Sequence, residues 1–230
     1  MDTATYIKRN TRKDDGLLVP ALQNGDHLTR AEFHRRYSAQ PHLKKAELVE
    51  GVVYVPSPVS LAHSHRHANV MLWLGTYLAA TPGLRLLDNA TIILDAENEV
   101  QPDAALCIIN EGQTNSVGSY LHGAPELVVE IAGSSAAYDL HEKLRVYRRT
   151  GVQEYVIFLV LEQETIWYRL NEGRYEAVAP DESGLIRSRT FPGLYLHSEK
   201  FWADDLAGLL EALQTGLNTA EHAAFAESLR

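Results

Sequence analysis

A chain of 230 residues, 45% of them hydrophobic, is long enough to bury a substantial core. No apolar stretch approaches the roughly 20 residues of a membrane-spanning helix, and Met1 to Gly25 has no apolar signal core, so a cytoplasmic protein with no membrane partner is expected. The formal charge of -9 argues against a tight non-specific binder of polyanions, although acidic metal sites themselves add negative charge; a single cysteine, Cys107, rules out an intrachain disulfide or a cysteine zinc cluster.

Residues 1–26 show no steady period and read as a flexible N-terminal arm ahead of one domain spanning 27–230. Thr29 and Glu32 match a capping box and predict a helix from Arg30 to about Ser38, closed by Pro41. Ala46 to Val55 reads as two short strands turning at Glu50-Gly51. Between His63 and Ala80, Val70, Met71, Leu74, Tyr77 and Leu78 recur at helix spacing, and Thr81-Pro82-Gly83 stops the helix. Leu84 to Leu94 reads as a strand bent at Asp88-Asn89, and Val100 to Ile109 as the next strand, with Pro102-Asp103 inside it. Asn110 to Gly123 is a polar loop. Glu126 to Ala132 is an apolar run interrupted by Glu130, the pattern of a strand covered on both faces.

Gly133-Ser134-Ser135 breaks that strand. A helix is expected over Leu140 to Arg149, with Asp139 as N-cap and Gly151 as the stop. Glu154 to Leu161 is a further strand; Thr165 to Leu170 and Tyr175 to Val178 form a hairpin; Leu185 to Thr190 adds a strand. Phe201 to Leu213 is an amphipathic helix, and the alanine-rich Asn218 to Arg230 is helical or frayed. The order implies an α/β domain with a central mixed sheet flanked by helices.

Acids inside apolar strands are costly to bury unless paired or bound to metal, which singles out Asp103 and Glu130. On consecutive strands they are expected neighbours, and two adjacent carboxylates call for a cation between them. Mg²⁺, or Mn²⁺ in its place, takes such oxygen ligands and activates water for phosphodiester hydrolysis. Lys143 flanks the buried stripe of Leu140, Leu144 and Tyr147, so its amine can reach the strand ends; an ordinary Asp139–Lys143 surface pair explains it equally well. His63, His65 and His67 lack the spacing of a zinc helix; His65 and His67 read as solvated residues at a helix start, and His63 is able to point into the same cleft. Glu50 reads as a turn residue or a third carboxylate. Arg145, Arg148 and Arg149 read as a solvated helix face, and Cys107 as core.

The series Glu50-Gly51-Val52-Val53, Ser57-Pro58, His63, Gln101-Pro102-Asp103, Pro125 to Ile131, Asp139, Lys143, Tyr147, Gly151-Val152 and Glu154-Tyr155 resembles the Uma-two family of restriction-endonuclease-like proteins, within the PD-(D/E)XK nuclease superfamily. The resemblance runs from about Leu28 to Leu170. It implies a restriction-endonuclease-like α/β fold and a Mg²⁺-dependent DNA endonuclease that works as a homodimer. Asp103 and Glu130 would be the metal ligands, Lys143 the lysine, Glu50 the extra acid of the first hairpin, and His63, Asp139 and Tyr147 accessory groups. The superfamily lysine usually stands two residues after the second acid; that position here is Ala132, and the lysine has moved to the following helix. Relatives commonly carry Ser-Pro-Ser where this chain has Gly133-Ser134-Ser135, and a Tyr-Trp and an Asp-Pro that Tyr155 to Val160 lacks. The rival expectation is a non-catalytic interaction or assembly protein on a nuclease fold.

Overall fold

Ordered packing begins ahead of the expected boundary at residue 27. In the computed structural model, which describes residues 13–14, 17–133 and 138–230, Val19 and Leu22 are buried and the Gly25 N–H donates to the Val53 carbonyl at 2.8 Å. Two isolated apolar residues thus find a seat that no periodicity announces. Residues 1–12, in the expected arm, and Ser134-Ser135, in the expected strand break, lie outside the described residues.

β1 (Lys13–Asp14) and β2 (Leu17–Leu18) pair antiparallel. Thr29 Oγ1 accepts the Glu32 N–H at 3.3 Å and opens α1 (Arg30–Ser38) where the capping pattern predicts it. β3 (Glu47–Val49) and β4 (Val52–Tyr54) form the predicted hairpin; Glu50 and Gly51 both have positive φ, the conformation of a tight two-residue turn. α2 (Leu61–Ala80) starts two residues before the predicted His63, because Ser60 Oγ accepts the His63 N–H.

Next come β5 (Leu84–Asp88), β6 (Ile92–Ile93), β7 (Glu99–Val100) and β8 (Ala104–Ile108). Each of the two long strands expected here is two strands in different sheets. The chain breaks at Asn89, which has φ 49°, and again around Pro102, which has no N–H for a ladder. Pro102-Asp103 therefore lies at a crossing between sheets, not within a strand.

The expected polar loop contains a hairpin, β9 (Asn115–Val117) and β10 (Tyr120–His122). β11 (Leu127–Ala132) follows. Asp139–Lys143 then form one π-helical turn leading into α3 (Leu144–Thr150). Asp139 is inside this turn and does not cap a helix start. Gly151, at φ 95°, ends α3 as expected. β12 (Glu154–Leu159), β13 (Glu164–Asn171) and β14 (Arg174–Ala177) continue the fold, and β15 (Leu185–Arg187) pairs with β16 (Tyr195–His197), which alternation alone did not reveal. The predicted helix Phe201 to Leu213 is split into α4 (Ser198–Trp202) and α5 (Leu206–Leu217): Asp204 has φ 57° and Asp205 caps α5 through the Gly208 N–H. α6 (Ala220–Ser228) closes the chain, capped by Thr219.

Where one mixed sheet was expected, two six-stranded sheets share the work. Their orders are β4-β3-β7-β6-β10-β9 and β14-β13-β12-β11-β8-β5. In the second, β11 and β12 run parallel and every other pair antiparallel. Side chains alternate along β11. Leu127, Val129 and Ile131 join Trp73, Leu74 and Tyr77 of α2 in one core; Val128 and Ala132 join Val146 and Tyr147 of α3 in another. Each of the Leu, Ile and Val side chains, fully buried, contributes about 1.5–3 kcal/mol. Glu130 has the parity of Val128 and Ala132, so it is forced toward α3.

Candidate active site

Parity puts Glu130 on the α3 side; the π-helical turn brings its partner. Lys143 Nζ sits 2.8 Å from Glu130 Oε1, 2.9 Å from Glu47 Oε2 and 3.5 Å from Asp139 Oδ1, with all four side chains at most 4% exposed. Tyr147, one turn along at i+4, donates its hydroxyl to Glu130 Oε1 at 2.9 Å. The Tyr155 hydroxyl reaches the Asp139 carbonyl at 3.1 Å, and the Tyr138 ring lies 5.2 Å from the Lys143 ammonium.

Asp103 approaches from the other side. β8 and β11 pair antiparallel with Ala104 opposite Val129, which brings Asp103 beside the next residue, Glu130. Its Oδ2 accepts the Ile131 N–H at 2.8 Å and meets His63 Nε2 at 3.2 Å; its Oδ1 accepts from Lys45 Nζ at 3.1 Å. Gln101 ties the two halves together, its N–H donating to Glu47 Oε1 at 2.7 Å.

The electrostatics divide the two acids. Burial opposes ionisation of Asp103, but the His63 hydrogen bond, the Lys45 ammonium and the Ile131 N–H outweigh it and hold the carboxyl well below its usual range. For Glu130 burial prevails: with Asp139, Asp103 and Glu47 adding to it against Lys143, its pKa is pushed up to about 8. Burial also disfavours the charge on Lys143, yet Glu130 and Glu47 keep its pKa well above 10.5.

Most of the sequence-predicted residues converge here. Asp103, Glu130, Lys143, Asp139, Tyr147 and His63 all belong to the cluster. Glu50 does not: it lies at the exposed turn, 3.2 Å from Arg145. The hairpin acid that does reach Lys143 is Glu47, three residues earlier. Sequence reasoning missed Glu47 and Lys45, although Glu47 is an acid in the valine-rich run of β3, the same signal that marked Glu130. Two further buried acids serve another purpose. Glu126 accepts the N–H groups of Ile108 and Gln113, and Glu154 accepts from Ser188, Arg189 and Thr190, so both pin loops.

The donor set suits a hard cation. Four carboxyl groups (Glu47, Asp103, Glu130, Asp139) face two ammonium groups (Lys45, Lys143); once Glu130 gives up its proton, the excess of negative charge equals one divalent ion. Among the described residues no three His, Cys, Asp or Glu side chains form a metal cage. A cation that keeps most of its waters needs only one or two carboxylates.

Two mixed sheets flanked by helices, with Asp103 where the chain crosses between them, make a restriction-endonuclease-like α/β fold. Over residues 30–199 the chain matches the Uma2 family model, described as "Putative restriction endonuclease", and it belongs to that family. A crystal structure from Anabaena variabilis, described as "a putative nuclease belonging to DUF820", shares the fold with a TM-score of 0.59 and 16% identity, covering 76% of this chain and 98% of that one. The chain is also 28% identical over 142 residues to "ABC multidrug transporter MDR2" of Trichophyton interdigitale and of Trichophyton rubrum. That stretch is 60% of this chain and 10% of each transporter, so the chain spans about a tenth of these curated relatives. No helix among the described residues is long and apolar enough to cross a membrane.

Proposed function

We propose that this protein is a cytoplasmic DNA endonuclease that hydrolyses phosphodiester bonds with Mg²⁺ or Mn²⁺. The observation that carries this reading is the buried excess of carboxylates around Asp103 and Glu130, beside an ammonium that stays charged. Asp103 and Glu130 would hold the metal, with Glu47 replacing Glu50 as the extra acid. When bound, the metal supplies Lewis acidity toward a phosphoryl oxygen and lowers the pKa of water.

The side chains divide the remaining work. Lys143 stays protonated because Glu130 and Glu47 hold its charge, so it stabilises the negative charge that develops on the phosphoryl group rather than removing a proton. Tyr147 and the Tyr155–Asp139 contact fix that lysine and Glu130 in place. His63, with Nε2 on Asp103 and, among the described residues, no hydrogen-bond partner on Nδ1, orients the Asp103 carboxylate. Since two strands need two cuts, the protein would work as a homodimer.

A cleavage assay tests this. Purified protein should nick plasmid DNA with Mg²⁺ or Mn²⁺ and not in chelator, and Asp103→Ala should abolish the cutting. Cleavage that survives in Asp103→Ala removes the assignment. The direct neutralisation of Glu130 and Glu47 by Lys143 favours a second reading, a non-catalytic interaction protein on this fold. Absence of heat in a calorimetric titration with millimolar Mn²⁺ would select it.

A further inference from the structure

We propose that the groove between α1 and the β6–β7–β10 face docks one unstacked nucleotide of a single strand, and that it prefers a base bearing an exocyclic amine. The proposal rests on the nucleic-acid reading above and adds a specificity pocket to it.

The groove encloses about 270 Å³ and is lined by His34, Tyr37, Thr91, Glu99, Gln101 and Tyr120. Glu99 is at its floor, 1% exposed. Its Oε1 meets His34 Nδ1 at 2.8 Å, whereas among the described residues Oε2 has no hydrogen-bond partner and only the Arg30 guanidinium at 3.9 Å. A buried carboxylate oxygen without a donor is costly, and an incoming N–H₂ group would relieve it. Glutamate accepting from the cytosine N4 amine is an established pairing, and thymine has no amine to offer. The His34 and Tyr120 rings pack edge to face at 4.9 Å, and Tyr37 borders the same groove, giving π faces on which an unpaired base can stack.

A second recess of about 280 Å³ adjoins the first and shares Thr91 and Tyr120 with it. It presents Arg85, held to Ser116 Oγ at 2.9 Å, together with Ser119: a guanidinium and hydroxyls, the partners a phosphate takes. One recess suits a base and its neighbour suits a phosphate.

Charge and direction agree with a strand. In a chain of net charge -9, residues 27–45 hold five Lys or Arg and one acid. Asp103 follows Glu99 by four residues, so the floor of the groove lies within about 14 Å of Asp103 along the chain. A strand leaving the groove would reach the metal-site acids a short way on.

The test uses the whole protein in EDTA, so no cleavage intervenes. Fluorescein-labelled single-stranded (dC)6 and (dT)6 are titrated by anisotropy, with unlabelled dCMP as competitor. (dC)6 should bind about tenfold more tightly than (dT)6. Glu99→Leu should bring the (dC)6 to (dT)6 affinity ratio to about one, with circular dichroism showing that the variant is folded. Tyr120→Ala should weaken both. Equal binding of the two oligonucleotides, binding of neither, or a preference that survives Glu99→Leu overturns the proposal. So does dCMP competing as well as (dC)6, which would make the ligand a free nucleotide. An inactive nuclease that keeps the preference leaves this groove standing, and an active one without it leaves only the cleavage reading.

Discussion

Lys143 and Glu130, thirteen positions apart, meet at 2.8 Å with both side chains 3% exposed. Such a pair is held by the cost of breaking it. Removing one partner leaves a buried charge and costs about 3–5 kcal/mol. Lys143→Met should therefore lower the urea midpoint sharply. Above about pH 8, where Glu130 is ionised, the double variant Glu130→Gln, Lys143→Met should recover part of the loss, because it removes both charges. Single and double variants of equal stability would show that Glu47 and Asp139, not Glu130, set the energy of the lysine.

The Glu130 carboxyl makes stability depend on pH in an unusual direction. Its pKa rises from 4.5 to about 8 on folding, so the folded chain holds a proton that the unfolded chain has released. Between these values the folded state binds more protons, and raising the pH across the window costs stability. Asp103 acts in the opposite sense: its folded pKa is lowered, so its contribution is present above the unfolded value of 3.8 and is lost as the pH falls further. Denaturant melts across the upper window should show stability declining in the wild type and a flatter profile in Glu130→Gln. Parallel profiles would mean that Glu130 is ionised throughout.

How much of this was legible in the sequence follows from what each signal measures. Alternation and apolar runs report burial, so β11, β12 and the α2 stripe were readable, and so was the oddity of an acid at Glu130. They do not report which sheet a strand joins. Leu84 to Leu94 and Val100 to Ile109 read as continuous because both halves are buried; only Asn89 and Pro102 mark the crossings, and the latter is where Asp103 gains its position. Glu50 drew attention because a turn acid beside glycine matched a family pattern. Glu47 is the one that counts geometrically because its side chain leaves β3 toward Lys143, a choice fixed by strand parity and not by residue type. The π-helical turn at Asp139–Lys143 left no trace that helix periodicity could register.

Cys107 offers a check on the packing of β8. Its side chain is buried against Val128 and neighbours on β11, and burial pushes the thiol up to about 12, with Glu126 adding to it. Reaction with a thiol reagent requires thiolate and access, and the native protein supplies neither. Labelling at neutral pH should be slow and should accelerate in urea in step with the loss of circular dichroism. Rapid labelling of the native protein would mean that β8 opens locally, at far lower cost than global unfolding.

Metal binding should show as stabilisation that depends on Asp103. A ligand that binds only the folded chain adds stability according to its concentration relative to Kd, about 2.7 kcal/mol at a hundredfold excess. Mn²⁺ at millimolar concentration should therefore raise the melting temperature of the wild type. Asp103→Asn keeps the volume of the side chain and an oxygen able to accept the Ile131 N–H, but it removes the charge. It should melt at nearly the same temperature with and without Mn²⁺. An ionic-strength control with NaCl separates a specific oxygen site from general screening of the excess acid, since screening would move both proteins alike. If Asp103→Asn gains as much from Mn²⁺ as the wild type does, the cation sits elsewhere, and the cluster around Lys143 is structural.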